Sequence, residues 1–171
     1  SPERVVYTGT FSRTMSLSMR IGYVVLPESL FPHFLRVKQI FETYSAAWME
    51  QAALADFMSS GQYERHLRRM TRVYRKSHDA LKLLFQEHLP GLFQWTDSDA
   101  GLHLFGQWRG NARKFRAFHQ ACVGEDLHWR TAEGYYHAAS QPAGVFSFSH
   151  LNERSMEKAL SAMGAIYRRL K

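Results

Sequence analysis

The densest chemistry in this 171-residue sequence lies near its start, in Gly9-Thr10-Phe11-Ser12-Arg13-Thr14, with Arg20 seven positions beyond Arg13. A strand that runs into a loop of Gly, Thr and Ser presents hydroxyls and backbone N–H groups to an anion. Arg20, opening the next strand, adds a guanidinium able to hold a phosphate through two parallel hydrogen bonds. The same residues also suit a polar turn whose Thr and Ser hydroxyls cap their own backbone. Composition alone leaves both readings open.

Other chemistries find no foothold. The nine His include no His-Glu-x-x-His pair, and Cys122 has no second Cys with which to build a zinc knuckle. Neither a Gly-x-Ser-x-Gly elbow nor a phosphate loop ending in Gly-Lys-Ser/Thr occurs. His33, His88 and His119 read as surface or helix-edge residues. His103, inside an apolar strand, reads as a hydrogen-bonded core histidine. No metal site is expected.

The elements that must position the loop follow from hydrophobic pattern. Val5-Val6-Tyr7 reads as a short strand entering a polar loop over 8–18, and Ile21–Leu26 as a buried strand stopped by Pro27. A helical region runs from Pro27-Glu28-Ser29 to about Met58, with Leu30, Phe34, Val37, Ile40, Phe41 and Tyr44 on its inner face. Ser59-Ser60-Gly61 breaks it, and a second helix continues to Pro90-Gly91. Beyond this point strands are expected at Phe93–Trp95, Leu102–Trp108, Leu127–Trp129 and Val145–Phe148. A helix fits Asn111–Cys122, and another runs to about Leu170 from an N-cap at Asn152, with Ser155 and Glu157 in its first turn. Strands and long helices followed by a smaller mixed unit indicate an α/β piece joined to an α+β piece.

Composition bounds the class. The chain has 22 Lys+Arg against 15 Asp+Glu, a net charge of +7, with 45% hydrophobic residues, which is globular usage. No apolar run is long enough to cross a bilayer. The lone Cys122 fits a reducing compartment. The chain opens Ser-Pro-Glu-Arg, without Met or a signal-peptide pattern, and reads as a piece of something larger. Much of the positive charge falls at Arg65, Arg68, Arg69, Arg72, Arg75 and Lys76, while Tyr63, Leu67, Met70, Tyr74, Leu81 and Leu84 form an apolar stripe at helical spacing. A solvated basic side on an amphipathic helix is favoured over contact with DNA or RNA, because no helix-turn-helix, zinc finger or aromatic RNA-binding box accompanies it.

Taken together, the residues from Gly9 to Thr14 and the run Arg20-Ile21-Gly22-Tyr23-Val24-Val25-Leu26-Pro27 resemble the pyridoxal-phosphate lysine segment of fold-type I aminotransferases. They are most similar to the MocR or GabR-like branch of GntR-type bacterial transcription regulators, in which a winged helix-turn-helix is fused to an aminotransferase-like domain. Gly61-Gln62-Tyr63-Glu64-Arg65-His66-Leu67-Arg68-Arg69-Met70 resembles that branch's basic helix, and Ala100-Gly101-Leu102-His103 its entry to a small-domain strand. The three matches fall in the family's order and cover nearly the whole chain.

The resemblance implies an α/β fold in which residues 1–60 end the large cofactor domain and residues 61–171 form a connecting basic helix and an α+β small domain. It implies a phosphate site at Thr10, Ser12, Arg13 and Arg20, with pyridoxal phosphate as the cofactor. Two departures bear on activity. The family's Schiff-base lysine corresponds to Arg13, and a guanidinium stays protonated where a lysine amine can deprotonate and attack an aldehyde. Val145, within Gly144-Val145-Phe146-Ser147-Phe148, occupies the place of the arginine that holds the substrate carboxylate. Leu17 also replaces the family's Pro before the Leu-Arg pair.

The implied protein is therefore the effector-binding and dimerisation domain of a cytoplasmic regulator, with no catalytic residue and with pyridoxal phosphate bound non-covalently if at all. Its expected partners are a second copy, a small anionic or amino-acid-like effector, and DNA only through a domain absent from this chain. An active aminotransferase fragment and a free-standing interaction module are the alternatives.

Overall fold

The computed structural model describes residues 2–42, 47–96, 101–136 and 141–170. The chain divides into two compact units, residues 1–69 and 70–171, and the division falls inside one long helix.

In the first unit, β1 (Tyr7–Thr10) and β2 (Gly22–Val25) form an antiparallel pair in which Gly9 faces Tyr23 and Thr10 faces Gly22. The pairing begins at Tyr7, so Val5 and Val6 precede the strand expected there, and the connecting loop lies about three residues later than the sequence suggests. Gly9 permits a close approach: a Cβ at this position would lie 2.3–2.5 Å from the outer end of the exposed Tyr23 side chain, which would have to turn aside. After a short 3-10 turn at Glu28–Leu30 come α1 (Phe31–Phe41) and α2 (Trp48–Ser59). The single helical region expected from Pro27 to Met58 is thus two helices, because Glu42 leaves helical geometry at φ −127°, ψ 76°. The Ser59-Ser60-Gly61 break stands as expected, and α3 (Gln62–His88) follows it.

The inner face expected for α1 is not buried. Leu30, Phe34, Val37, Ile40 and Phe41 are all exposed, Phe41 by 83%, while Tyr44 lies outside the described residues. The helix period correctly separates an apolar from a polar side, but no described residue of this unit covers the apolar one. Among the described residues of the unit, Ile21 and Leu54 are the buried hydrophobic ones.

The second unit has its own core. A four-stranded antiparallel sheet runs in the order β3 (Phe93–Trp95), β4 (His103–Trp108), β6 (Ala143–Ser147), β5 (Arg130–Thr131). The strand expected at Leu127–Trp129 instead forms just after it, at Arg130–Thr131. Alternate residues of β4 and β6 point inward, and Leu104, Trp108, Phe146 and the following Phe148 are buried. Leu81 and Phe85 of α3 join this core with Phe115, Phe118 and Cys122 of α4 (Ala112–Gly124). Met156, Leu160, Met163 and Ile166 of α5 (Glu153–Arg169) complete it.

Gly106 and Gly144 face each other across β4 and β6, and a Cβ on either would strike an indole ring, Trp95 at 2.7 Å or Trp129 at 2.8 Å. Two missing side chains therefore make room for the largest rings. Trp129 stacks on Phe146 with centroids 4.9 Å apart, and Phe85 meets Trp95 at 4.6 Å. The helix starts follow the sequence reading, with the Asn152 Oδ1 accepting from Ser155 N at 2.8 Å and Asn111 Oδ1 from Lys114 N at 2.8 Å. His103 departs from it. This residue sits exposed at the first position of β4, where alternation turns it away from the core.

Candidate functional site

The loop between β1 and β2 is closed at its base by two bonds to one carbonyl. Phe11 N donates to Ile21 O at 3.0 Å, and Thr10 Oγ1 donates to the same oxygen at 3.4 Å. These contacts bring the first loop residues beside the residue that follows Arg20. From Phe11 the chain makes one helical turn, with Met15 N and Thr14 N donating to Phe11 O at 2.8 and 3.2 Å. Ser12 and Arg13 ride on that turn.

The hydroxyls divide into two groups. Thr10 Oγ1 accepts from Ser12 N at 3.1 Å, Thr14 Oγ1 donates to Phe11 O at 3.4 Å, and Ser16 Oγ accepts from Ser18 N at 3.3 Å. Those three cap their own backbone, as the polar-turn reading requires. Ser12, Arg13 and Arg20 have no side-chain partner among the described residues, and both guanidiniums are exposed. The turn thus stabilises itself with one set of groups and leaves two exposed cations and a half-buried hydroxyl uncommitted. Such a set suits an anion and supplies no amine.

Arg20 carries a further mark. It adopts the left-handed conformation, φ 52°, ψ 32°, closing a 3-10 turn at Leu17–Met19. For a non-glycine residue this costs about 1–2 kcal/mol. The chain therefore spends conformational energy where the guanidinium is presented.

Two residues behind the loop escaped the sequence reading. Tyr63 OH donates to Thr14 Oγ1 at 3.2 Å, and His66 Nε2 donates to Thr14 O at 2.8 Å. A carbonyl oxygen only accepts, so Nε2 carries the proton. Their three-residue spacing puts both on one face of α3; the sequence reading has Tyr63 only within an apolar stripe and His66 only within the basic-helix resemblance. Around them, the ring centroid of Phe11 lies 5.5 Å from that of Tyr23 and 6.0 Å from that of Tyr63. Tyr7 raises the pKa of the Tyr23 phenol, through a hydrogen bond first and its charge second.

In the second unit, Val145 of β6 is opposite Phe105 on β4 and Arg130 on β5. Arg130 thus stands beside Val145 on the same side of the sheet, exposed and without a partner among the described residues. Elsewhere in the unit, Glu87, His88 and Glu157 bring ligand atoms within 4.8 Å of one another. His88 Nε2 lies 2.9 Å from Glu157 Oε1, a contact that ties α3 to α5. A shallow cavity of about 60 Å³, lined by Lys114, Ala117, Phe118, Tyr167 and Leu170, holds no cluster of chemical groups.

Comparison with known proteins places this geometry. The model of the family "Aminotransferase class I and II" matches residues 1–163. The chain is 30% identical over 175 residues to the probable rhizopine catabolism regulatory protein MocR of Rhizobium meliloti, covering 96% of this chain and 33% of that protein. It is 34% identical over 102 residues to the HTH-type transcriptional regulator YhdI of Bacillus subtilis, covering 59% of this chain and 21% of that one. Among solved structures, the kynurenine aminotransferase of Pyrococcus horikoshii superposes with a TM-score of 0.84 at 18% identity, over 98% of this chain and 41% of that one. The multiple substrate aminotransferase of Thermococcus profundus does so with a TM-score of 0.82 at 19% identity, again over 98% and 41%. The chain thus spans about a third of the MocR protein and two-fifths of the enzymes. Its fold is that of fold-type I aminotransferases, and the chain belongs to the class I and II aminotransferase family.

Proposed function

We propose that this chain is the rear part of an aminotransferase-type effector-binding and dimerisation domain in a cytoplasmic transcription regulator, and that it does not hold pyridoxal phosphate covalently. On this reading residues 1–60 end the cofactor domain, residues 61–171 make the connecting helix and small domain, and the bases of the operator are read by a domain outside this chain. The likeness to MocR and to other HTH-type regulators supports the regulatory half.

The observation that carries the chemical half is Arg13 on an otherwise self-stabilised loop. Pyridoxal phosphate supplies an electron sink to amino-acid chemistry once its aldehyde is joined to an amine. Residues 1–69 contain a single lysine, Lys38, and its amine is ion-paired with Glu42. Arg13, Arg20 and Ser12 would instead hold the phosphate, with the N–H groups of the Phe11–Met15 turn beside them. Tyr63 and His66 hold Thr14, and through it the turn. Val145 offers a substrate carboxylate no charge, whereas its neighbour Arg130 can supply one.

The test uses the full polypeptide that carries this chain. Titration with pyridoxal phosphate, followed by calorimetry, is expected to show saturable binding. Hydride reduction and intact-mass measurement are expected to find no covalent adduct. Arg13→Lys should create one. An adduct on the unmodified protein would sink the non-covalent reading, and an absence of binding would remove the cofactor altogether.

A further inference from the structure

The basic stretch of α3 plays no part in the loop just described. The helix is continuous from Gln62 to His88, so spacing along it fixes which residues share a face. At about 100° per residue, Arg65, Arg68, Arg69, Arg72, Arg75 and Lys76 fall within an arc of about 120°. Between positions 65 and 76 no other residue falls on that arc, and all six are exposed. The opposite side carries the partly buried Tyr63, Met70 and Tyr74 and, further on, the buried Leu81 and Phe85.

Mutual neutralisation is slight. Lys76 lies 3.6 Å from Glu153, both being exposed, and the five arginines have no partner among the described residues. Like charges three and four residues apart repel on a helix, so an unmixed stripe is unfavourable unless an anion lies against it. A merely solvated face would be served as well by mixed signs.

We propose that this face of α3 runs along the phosphate backbone of duplex DNA, adding sequence-independent contacts to those of the domain that reads bases. Six cations along about 17 Å of helix place one charge every ~3.3 Å. One DNA strand carries a phosphate every ~3.4 Å along its axis. Five of the six are arginine, whose planar fork matches phosphate oxygens in pairs. An anionic membrane is a poorer partner, since the arc itself offers no apolar side chain to enter it. The proposal rests on the regulator reading above.

The experiment uses the full polypeptide and a mixed-sequence linear duplex of 60 base pairs, with fluorescence anisotropy between 50 and 200 mM KCl. Arg68→Gln/Arg72→Gln/Arg75→Gln keeps good helix formers, and circular dichroism verifies helicity. Loss of three phosphate contacts should flatten the slope of log K against log salt by about 2.7 and weaken low-salt binding at least tenfold. The corresponding triple lysine variant should keep the slope. Duplex binding with the same slope in both unmodified and glutamine proteins overturns the proposal and leaves the regulator reading intact. Failure of the unmodified protein to bind any duplex overturns both. An unchanged slope on DNA together with lost binding to phosphatidylserine vesicles would assign the stripe to membranes, against the proposal.

Discussion

Arg20→Gly separates what the left-handed backbone costs from what the guanidinium contributes. At φ 52°, ψ 32° the wild-type residue carries about 1–2 kcal/mol of local conformational cost, which glycine removes. Glycine gives back about 0.5–1 kcal/mol through its freer unfolded chain. The net effect on stability should be between zero and a gain of about 1.5 kcal/mol. Arg20 has no partner among the described residues, so no folded-state contact is lost to change that sum. Phosphate binding should respond in the opposite direction. A hydrogen bond to a charged group contributes about 1.5–3 kcal/mol, so pyridoxal phosphate should bind about 10- to 100-fold more weakly. Urea unfolding of the full polypeptide reads the first number, and calorimetric titration with pyridoxal phosphate and with inorganic phosphate reads the second. Arg20→Asn, which tolerates the same backbone, should reproduce the affinity loss. Phosphate binding as tight as wild type in Arg20→Gly, or a loss of over about 1 kcal/mol in its unfolding, would refute the assignment of Arg20.

Gly9→Ala should force the Tyr23 ring aside, since the new Cβ would lie 2.3–2.5 Å from it. A loss of about 1–3 kcal/mol in urea unfolding is expected, largely recovered by adding Tyr23→Ala. Phe146→Ala, which removes the ring that stacks on Trp129, should cost about 3–5 kcal/mol by the same measurement. Asn152→Ala removes the acceptor for Ser155 N and should cost about 1 kcal/mol, seen as a lower melting temperature. Burial pushes the Cys122 thiol up to about 11 from an ordinary 9.0. A raised folded value means that this contribution is complete below pH 9 and is lost as pH climbs toward 11. The stability gap between wild type and Cys122→Ala should therefore narrow over that window, and a constant gap would contradict the assignment.

Much of the second unit was legible because alternation and burial coincide there. Phe93–Trp95 places a ring at every second residue, Leu102–Trp108 buries Leu104, Gly106 and Trp108 in alternation, and the observed strands differ from the expected ones by a residue at most. Apolar character points to a strand at Leu127–Trp129, just short of the observed Arg130–Thr131. Trp129 does sit among the core rings, but the ladder bonds belong to Arg130 and Thr131, whose side chains are polar. His103 was misjudged for a related reason. Its neighbours are apolar, yet a first-strand position on the outward phase is exposed whatever flanks it.

The loop and α1 show what a sequence pattern leaves undetermined. Thr10, Ser12, Thr14 and Ser16 are equivalent in composition, but backbone geometry commits three of these hydroxyls to the turn and leaves that of Ser12, like Arg13 and Arg20, without a side-chain partner among the described residues. Only the fold distinguishes a hydroxyl that builds a loop from one that the loop presents. In α1 the period identifies the apolar side, and the exposed Phe34, Ile40 and Phe41 show that identifying a side does not supply its cover. Because the chain spans about two-fifths of the solved enzymes it matches, a helix patterned for burial need not find its partner within that span. The basic arc of α3 poses the converse case. Its residues need no cover, but a surface of one sign needs a counter-charge, and among the described residues only Lys76 of the six has a carboxylate, Glu153, within ion-pair distance.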